Sequence, residues 1–141
     1  AREEKKNRHT YVFLSDGEME EGQIWEAAMF AAHHKVGNLT VLLDANNSQV
    51  DGSVEFVTTI EPLADKWRSF GWHVEEVDGH NIEELTKAMN SAKNDQPLIV
   101  IARTKIAGHM RAIPDTVDAH FIKLDLEMVS GILSQLEEEY V

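Results

Sequence analysis

The sequence predicts an α/β domain: a parallel sheet with helices on both faces. Three observations lead there. Short β-branched or apolar runs alternate with alanine-rich or amphipathic stretches along the chain. The second such run, Leu39 to Asp44, is apolar almost without interruption, the pattern of a strand covered on both sides. No repeat or linker-like segment divides the 141 residues, so one domain spanning 1–141 is expected to bury a single core.

Taken in order, residues 1–9 are charged and polar and are expected to be a solvated lead-in. Thr10 to Leu14 (TYVFL) is β-branched and aromatic, which predicts a buried strand ending at Ser15-Asp16-Gly17. From Glu20 to Val36 only Gly22 interrupts an alanine-rich stretch, so a helix is expected, apolar on nearly every side. Leu39 to Asp44 is the second strand. Residues 46–60 carry loop chemistry, with a turn at Asp51-Gly52. Pro62 suits the first turn of a short helix that Gly71 would cap. Trp72 to Val77 is the third strand. Asn81 and Glu84 have capping-box spacing ahead of a helix reaching about Lys93. Pro97 opens a fourth strand, LIVIART. Residues 105–123 look irregular, and Leu126, Val129, Leu133 and Leu136 mark a final amphipathic helix.

Composition narrows the partners. A net charge of −12 repels phosphate backbones and anionic membranes, so neither nucleic acid nor membrane is expected, whereas acidic clusters attract divalent cations. The absence of cysteine removes disulfide and thiolate chemistry and suits a reducing, cytoplasmic setting. No apolar run reaches the roughly 18 residues of a membrane-spanning helix, and AREEKKNRHT does not have the makeup of a signal peptide.

Two stretches carry chemistry. FLSDGEMEEGQIWEAAMF gathers carboxylates between a strand and a helix, and LLDANNSQVDG follows the next strand. In a parallel βαβ unit both strands end on the same edge, so Asp16 and Asn46 fall just past strand C-termini. If the strands are neighbours, these side chains begin about 5 Å apart, in the crevice where open α/β sheets bind ligands. A carboxylate and an amide oxygen are hard ligands suited to Mg²⁺ or Ca²⁺; two are too few for a protein cage, so waters and substrate phosphates would complete the set. Gly17 permits close backbone approach at a helix start, where amides favour an anion. A metal-bridged diphosphate accounts for all of this. The bland alternative is that acidic residues favour a helix's first turn through its dipole and that Asp-Gly is a common turn.

At this point the sequence resembles a known family. SDGEMEEGQIWEAAMFAAHHKVGNLTVLLDANNSQVDG is similar to the thiamine-diphosphate motif of transketolases, which usually begins Gly-Asp-Gly and closes on an asparagine. EPLADKWRSFGWHVEEVDGHNIEEL is also similar, especially to the N-terminal subunit of transketolases divided between two chains. The resemblance runs from about Tyr11 to about Thr104 and more weakly beyond. It implies the thiamine-diphosphate-binding fold, with Asp16 and Asn46 binding the metal through side chains and Ser48 through its backbone carbonyl. Gly17 would give its amide to the diphosphate, with Glu18 on the cofactor side. His120 would face the diphosphate and the reacting carbons. Glu21 and Glu26 match glutamates at a dimer interface that connect two cofactor sites, and with His120 they form the candidate catalytic set. The implied activity is transfer of a two-carbon ketol unit from a ketose phosphate to an aldose phosphate, using thiamine diphosphate with Mg²⁺ or Ca²⁺. The implied partners are a chain carrying the pyrimidine-binding domain and a second copy, in a dimer or larger assembly. The family also carries an upstream segment with further histidines, so the chain is expected to be a partial domain or to be completed by other chains.

Some positions depart from the pattern. Ser15 replaces the usual first glycine, KIAGHMRAIP replaces a Gly-Lys-Gly type of stretch, and Phe121 stands where glycine usually follows the histidine. His109, beside Gly108, is therefore a substitute candidate for His120. His33 and His34 suit a helix end, His80 suits a turn, and Trp25 and Met29 are expected in a core or interface. The acidic tail is expected to be a solvated face. Two other readings remain: another thiamine-diphosphate enzyme, of the deoxyxylulose-phosphate synthase or 2-oxo acid dehydrogenase type, and a non-catalytic interaction module retaining the fold.

Overall fold

The computed structural model of the chain describes residues 7–108, 110–113 and 120–140. Alternating apolar runs produce the predicted alternation of elements. Strand β1 (Thr10–Ser15) leads through a 3₁₀ turn (Gly17–Glu20) into helix α1 (Gly22–His33) and strand β2 (Leu39–Ala45). A small hairpin, β3 (Ser48–Gln49) and β4 (Gly52–Ser53), precedes helices α2 (Val54–Val57) and α3 (Leu63–Ser69). Strand β5 (His73–Asp78), helix α4 (Ile82–Met89), strand β6 (Leu98–Arg103) and helix α5 (Leu126–Tyr140) complete the chain.

The main sheet is parallel throughout, in the order β1-β2-β6-β5. The last strand in sequence is inserted beside β2, and Leu98 to Ala102 of β6 are all buried. One face packs Leu14, Val41, Leu43, Ile99 and Ile101 against α1 and α3. The other packs Leu98, Val100 and Leu42 against Leu85, Ala88 and Met89 of α4. Helices thus cover both faces, as the unbroken apolar strands require.

Tryptophans tie the first layer together. The Trp72 indole N–H donates to the Ala28 carbonyl at 2.9 Å, and that of Trp25 to the Met19 carbonyl at 2.8 Å, locking the 3₁₀ turn against α1. Trp67 sits edge-on to Trp72, ring centres 4.7 Å apart. At the sheet's C-terminal edge Arg103 bonds Glu76 and Glu61, both at 2.7 Å, tying β6 to β5 and to the residue ahead of Pro62.

Several boundaries and faces differ from expectation. The predicted buried strand Thr10–Leu14 buries Leu14 alone and is otherwise an exposed edge: Tyr11 and Phe13 are 61% and 65% exposed, because α4 packs on β5 and β6 and no described helix covers this side of β1. The helix expected from Glu20 to Val36 divides at an extended Glu21 into the 3₁₀ turn and α1, and Lys35, at φ 51°, reverses the chain. Residues 46–60 hold a hairpin and a short helix as well as loop. Helix α4 stops at Met89 rather than near Lys93. The leucine stripe of α5 does not form its buried face: Leu126 and Leu133 are 86% and 55% exposed, while Ile132 and Gln135 are buried. The Gln135 side chain accepts the Arg111 N–H at 2.8 Å, so α5 packs through a polar anchor that hydrophobic periodicity does not register. Among the described residues no helix is long and apolar enough to cross a membrane.

Asn81 caps α4 as predicted, accepting from the Glu83 and Glu84 amides at 3.1 Å and donating to the Glu84 carboxylate at 2.9 Å. Asn81→Ala should therefore cost about 1 kcal/mol. Ile101→Ala, at a fully buried position, should cost about 2–5 kcal/mol. Urea denaturation of both variants checks this ranking, which fails if the cap variant proves the weaker protein.

Candidate functional site

Parallel pairing sets Ser15 opposite Asp44, so Asp16 from β1 and Asn46 from β2 emerge on the same sheet edge. The Asp16 N–H donates to the Asp44 carbonyl at 3.1 Å, continuing the ladder one residue past β1. The Asp16 side chain is 1% exposed. Its Oδ2 accepts the Asn47 N–H at 2.5 Å, while its Oδ1 is buried with no hydrogen-bond partner. A buried anionic oxygen without a donor is costly and calls for an explanation.

Asn46 lies in the loop after β2, the loop whose next residue, Asn47, donates to Asp16. Its Oδ1 accepts the Ser48 N–H at 2.9 Å, and its Nδ2 donates to Asp44 Oδ2 at 3.1 Å. Asn47 adopts φ 58°, a left-handed conformation that asparagine tolerates, within the turn from which the Asn47 and Ser48 amides reach Asp16 and Asn46. The donor set suits a hard divalent cation: one unpartnered carboxylate oxygen and one amide oxygen with a lone pair to spare. Among the described residues no three His, Asp or Glu side chains gather into a metal cage. A cation here would therefore draw further ligands from the backbone, water or a bound anion.

Burial raises the Asp16 carboxyl above the ordinary carboxylate range. The Asn47 and Gly17 amides oppose the shift, the Asp44 charge adds to it, and the Ser48 amide again opposes it. Any cation at Oδ1 would remove this penalty.

Gly17 is small for a visible reason. A Cβ there would lie 3.1 Å from Gln49 Oε1 and 3.3 Å from Gln49 Cβ, and the Gln49 amide donates to Glu20 Oε1 at 2.7 Å. The absence of a side chain at Gly17 thus leaves room for Gln49 to close the hairpin over the 3₁₀ turn. Glu18 is turned back on its own strand, its Oε2 accepting the Ser15 N–H at 2.8 Å and the Ser15 hydroxyl at 3.2 Å. The serine that replaces the usual glycine therefore holds Glu18.

His120 is exposed, and its Nδ1 lies 3.4 Å from the Ser48 hydroxyl, which brings it to the same loop across 72 residues of sequence. His109 lies outside the described residues. Glu21, just ahead of α1, and Glu26 on it are exposed, and Met29 and Phe30, three and four residues after Glu26, are exposed as well. As expected, α1 is apolar on nearly every side: it buries Ala28 and Ala31 and leaves Met29 and Phe30 outward, and in the single chain Glu26 is exposed with them. His80 has the expected turn chemistry: its N–H donates to Asp78 at 2.9 Å, and its Nε2 accepts the Lys105 N–H at 3.0 Å.

Sequence reasoning does not single out Asp44 or Thr104, yet the Thr104 hydroxyl donates to Asp44 Oδ1 and Asn46 bonds its other oxygen. Alternation is the available signal, since Asp44 and Asn46 are two apart and share one side of the extended chain. A cavity of about 350 Å³ opens at this edge, lined by Phe13, Leu42, Asp44, His80, Thr104 and Ile106 among others. Apolar walls with a few polar groups suit part of an organic ligand.

Comparison with known proteins agrees with this geometry. Residues 2–137 match the family model described as transketolase, thiamine diphosphate binding domain. The chain is 41% identical over 132 residues to the 6-deoxy-6-sulfo-D-fructose transketolase subunit of a Clostridium species, covering 92% of this chain and 48% of that protein. It is 37% identical over 106 residues to one of the subunits of apulose-4-phosphate transketolase from Phocaeicola vulgatus, covering 74% and 38%. The crystal structure of Campylobacter jejuni transketolase superposes with a TM-score of 0.83 at 28% identity, over 93% of this chain and 21% of that one. The chain thus spans about half the length, or less, of these relatives.

The raised Asp16 carboxyl has a signed consequence. Its contribution to stability is fully present below the unfolded-state pKa and is lost as pH rises through the higher folded value. In chelator at neutral pH, Asp16→Asn should melt at a higher temperature than wild type, with the gap narrowing on acidification. Melting curves across pH check this, and a wild type more stable at neutral pH would contradict it.

Proposed function

The chain belongs to the transketolase family, as part of its thiamine-diphosphate-binding domain, and from that premise we propose that it is one component of a transketolase assembled from more than one chain. In this reading it holds thiamine diphosphate through Mg²⁺ or Ca²⁺ while a two-carbon ketol unit passes from a ketose phosphate to an aldose phosphate. The observation that carries it is the buried, unpartnered Asp16 Oδ1 beside Asn46 at adjacent parallel strand ends. When bound, thiamine diphosphate supplies the carbon chemistry that side chains lack.

The chain's own share is binding, orientation and charge. Asp16 Oδ1 and Asn46 Oδ1 are the side-chain ligands, and the Ser48 carbonyl is the third. Gly17 offers its amide to the diphosphate, and Glu18, its carboxylate held by Ser15, is assigned to the cofactor side with it. His120, near Ser48, is the imidazole proposed to face the diphosphate and the reacting carbons. Support for an assembly comes from α1, where Met29 and Phe30 are exposed beside Glu21 and Glu26, and from relatives named as transketolase subunits. Glu21 and Glu26 are assigned to the contact between copies, where burial would make their pairing matter. The pyrimidine-binding domain is assigned to a partner chain, and a cytoplasmic setting suits a chain without cysteine.

The test uses the full-length protein with any chain that co-purifies with it. Calorimetry should show thiamine diphosphate binding only with Mg²⁺ or Ca²⁺ present, and ketol transfer should follow. Asp16→Ala should weaken binding at least about tenfold. Equal affinity in excess chelator would overturn the metal site, and metal-dependent binding without turnover would favour the non-catalytic module. Glu26→Gln should leave folding intact and change the cofactor isotherm or the rate; if both stay as in wild type, Glu26 has no part in the working site. Sedimentation should find a dimer or larger complex.

A further inference from the structure

We propose that Asp44 is a positioning residue for the cation, holding Asn46 so that the amide presents its oxygen and not its nitrogen. The inference rests on the cation site proposed above. An asparagine side chain is nearly symmetrical in shape, but only one end can ligate a cation. Asp44 is half-buried, and both its carboxylate oxygens are engaged, one by the Thr104 hydroxyl and the other by Asn46 Nδ2 at 3.1 Å. An ionised carboxylate only accepts hydrogen bonds, so it selects the nitrogen end of the amide. At the other end the Ser48 N–H, which only donates, selects the oxygen at 2.9 Å. A flipped amide would set acceptor against acceptor at Asp44 and donor against donor at Ser48.

Asp44 is itself fixed by the sheet. It pairs with Ser15 on one side and Ala102 on the other, its carbonyl accepts the Asp16 N–H at 3.1 Å, and the Thr104 N–H donates to the Ala45 carbonyl at 3.3 Å. The orientation of one amide is thereby set by three strands. Outer partners of this kind matter for metal affinity almost as much as the ligands they orient.

The experiment measures thiamine diphosphate binding by calorimetry while Mg²⁺ is titrated, using the full-length protein with its co-purifying chain. Asp44→Asn should raise the Mg²⁺ concentration for half-saturation by about 10–100-fold and change cofactor affinity at saturating Mg²⁺ far less. A merely structural role would move both together. In an Asn46→Ala background Asp44→Asn should add no further loss, because its effect passes through that amide. The proposal is overturned if Asp44→Asn leaves the Mg²⁺ requirement of wild type unchanged, or if its full effect persists without Asn46, which would indicate a charge effect. A wild type with no Mg²⁺ requirement would overturn the cation site and this inference with it. If metal-free melting shows Asp44→Asn to be unfolded, Asp44→Ser carries the same expectation and the same overturning result.

Discussion

A parallel βαβ unit must bring its second strand back in the direction of its first, and the site depends on that constraint. The pairing of Ser15 with Asp44 makes β1 and β2 end level, so the residues after them share one edge. Helix α1 performs the return, held to the sheet layer by Ala28, Ala31 and the Trp72 bond to its backbone. A one-residue shift in register would turn Asp16 toward the opposite face. Burial of Leu14, Val41 and Leu43 on one face opposes that shift and therefore also aligns the polar groups.

The edge so created works against stability. Asp16 is buried with one oxygen unpartnered, and Asp44 places a second carboxylate nearby. A chain selected only for stability would not bury a carboxylate in this way, and violations of this kind are expected where a ligand supplies what the protein omits. Four bonds hold its surroundings: Asn47 holds one oxygen of Asp16, Ser48 one end of Asn46, Thr104 one side of Asp44, and Gln49 the hairpin to Glu20. The loop is organised around one carboxylate oxygen that has no donor.

Much of this was legible in the sequence for local reasons. The alternation of runs, the Asn81 cap, the Asp51-Gly52 turn and the common edge of Asp16 and Asn46 all follow from periods of two or 3.6 residues and from turn chemistry, which act over a few positions. Where prediction missed, the deciding partner was distant. Thr10 to Leu14 has the composition of a covered strand, yet Tyr11 and Phe13 are exposed because no described helix lies over them. Leucines at helical spacing marked the wrong side of α5, because Gln135 anchors it to Arg111 from 24 residues away.

The sequence by itself determined the order of the main strands and helices, that the strands of the main sheet run parallel, and that Asp16, Gly17 and Asn46 fall past strand ends. These follow from side-chain pattern and chain direction alone. Only the tertiary structure decided that β6 lies between β2 and β5, that Glu26 faces outward, that His120 approaches Ser48, and that Asp44 is shared between Asn46 and Thr104. Each of those depends on contacts between positions far apart in the chain, 60 residues in the case of Asp44 and Thr104. Local periodicity carries no information about which distant donor will meet a given acceptor.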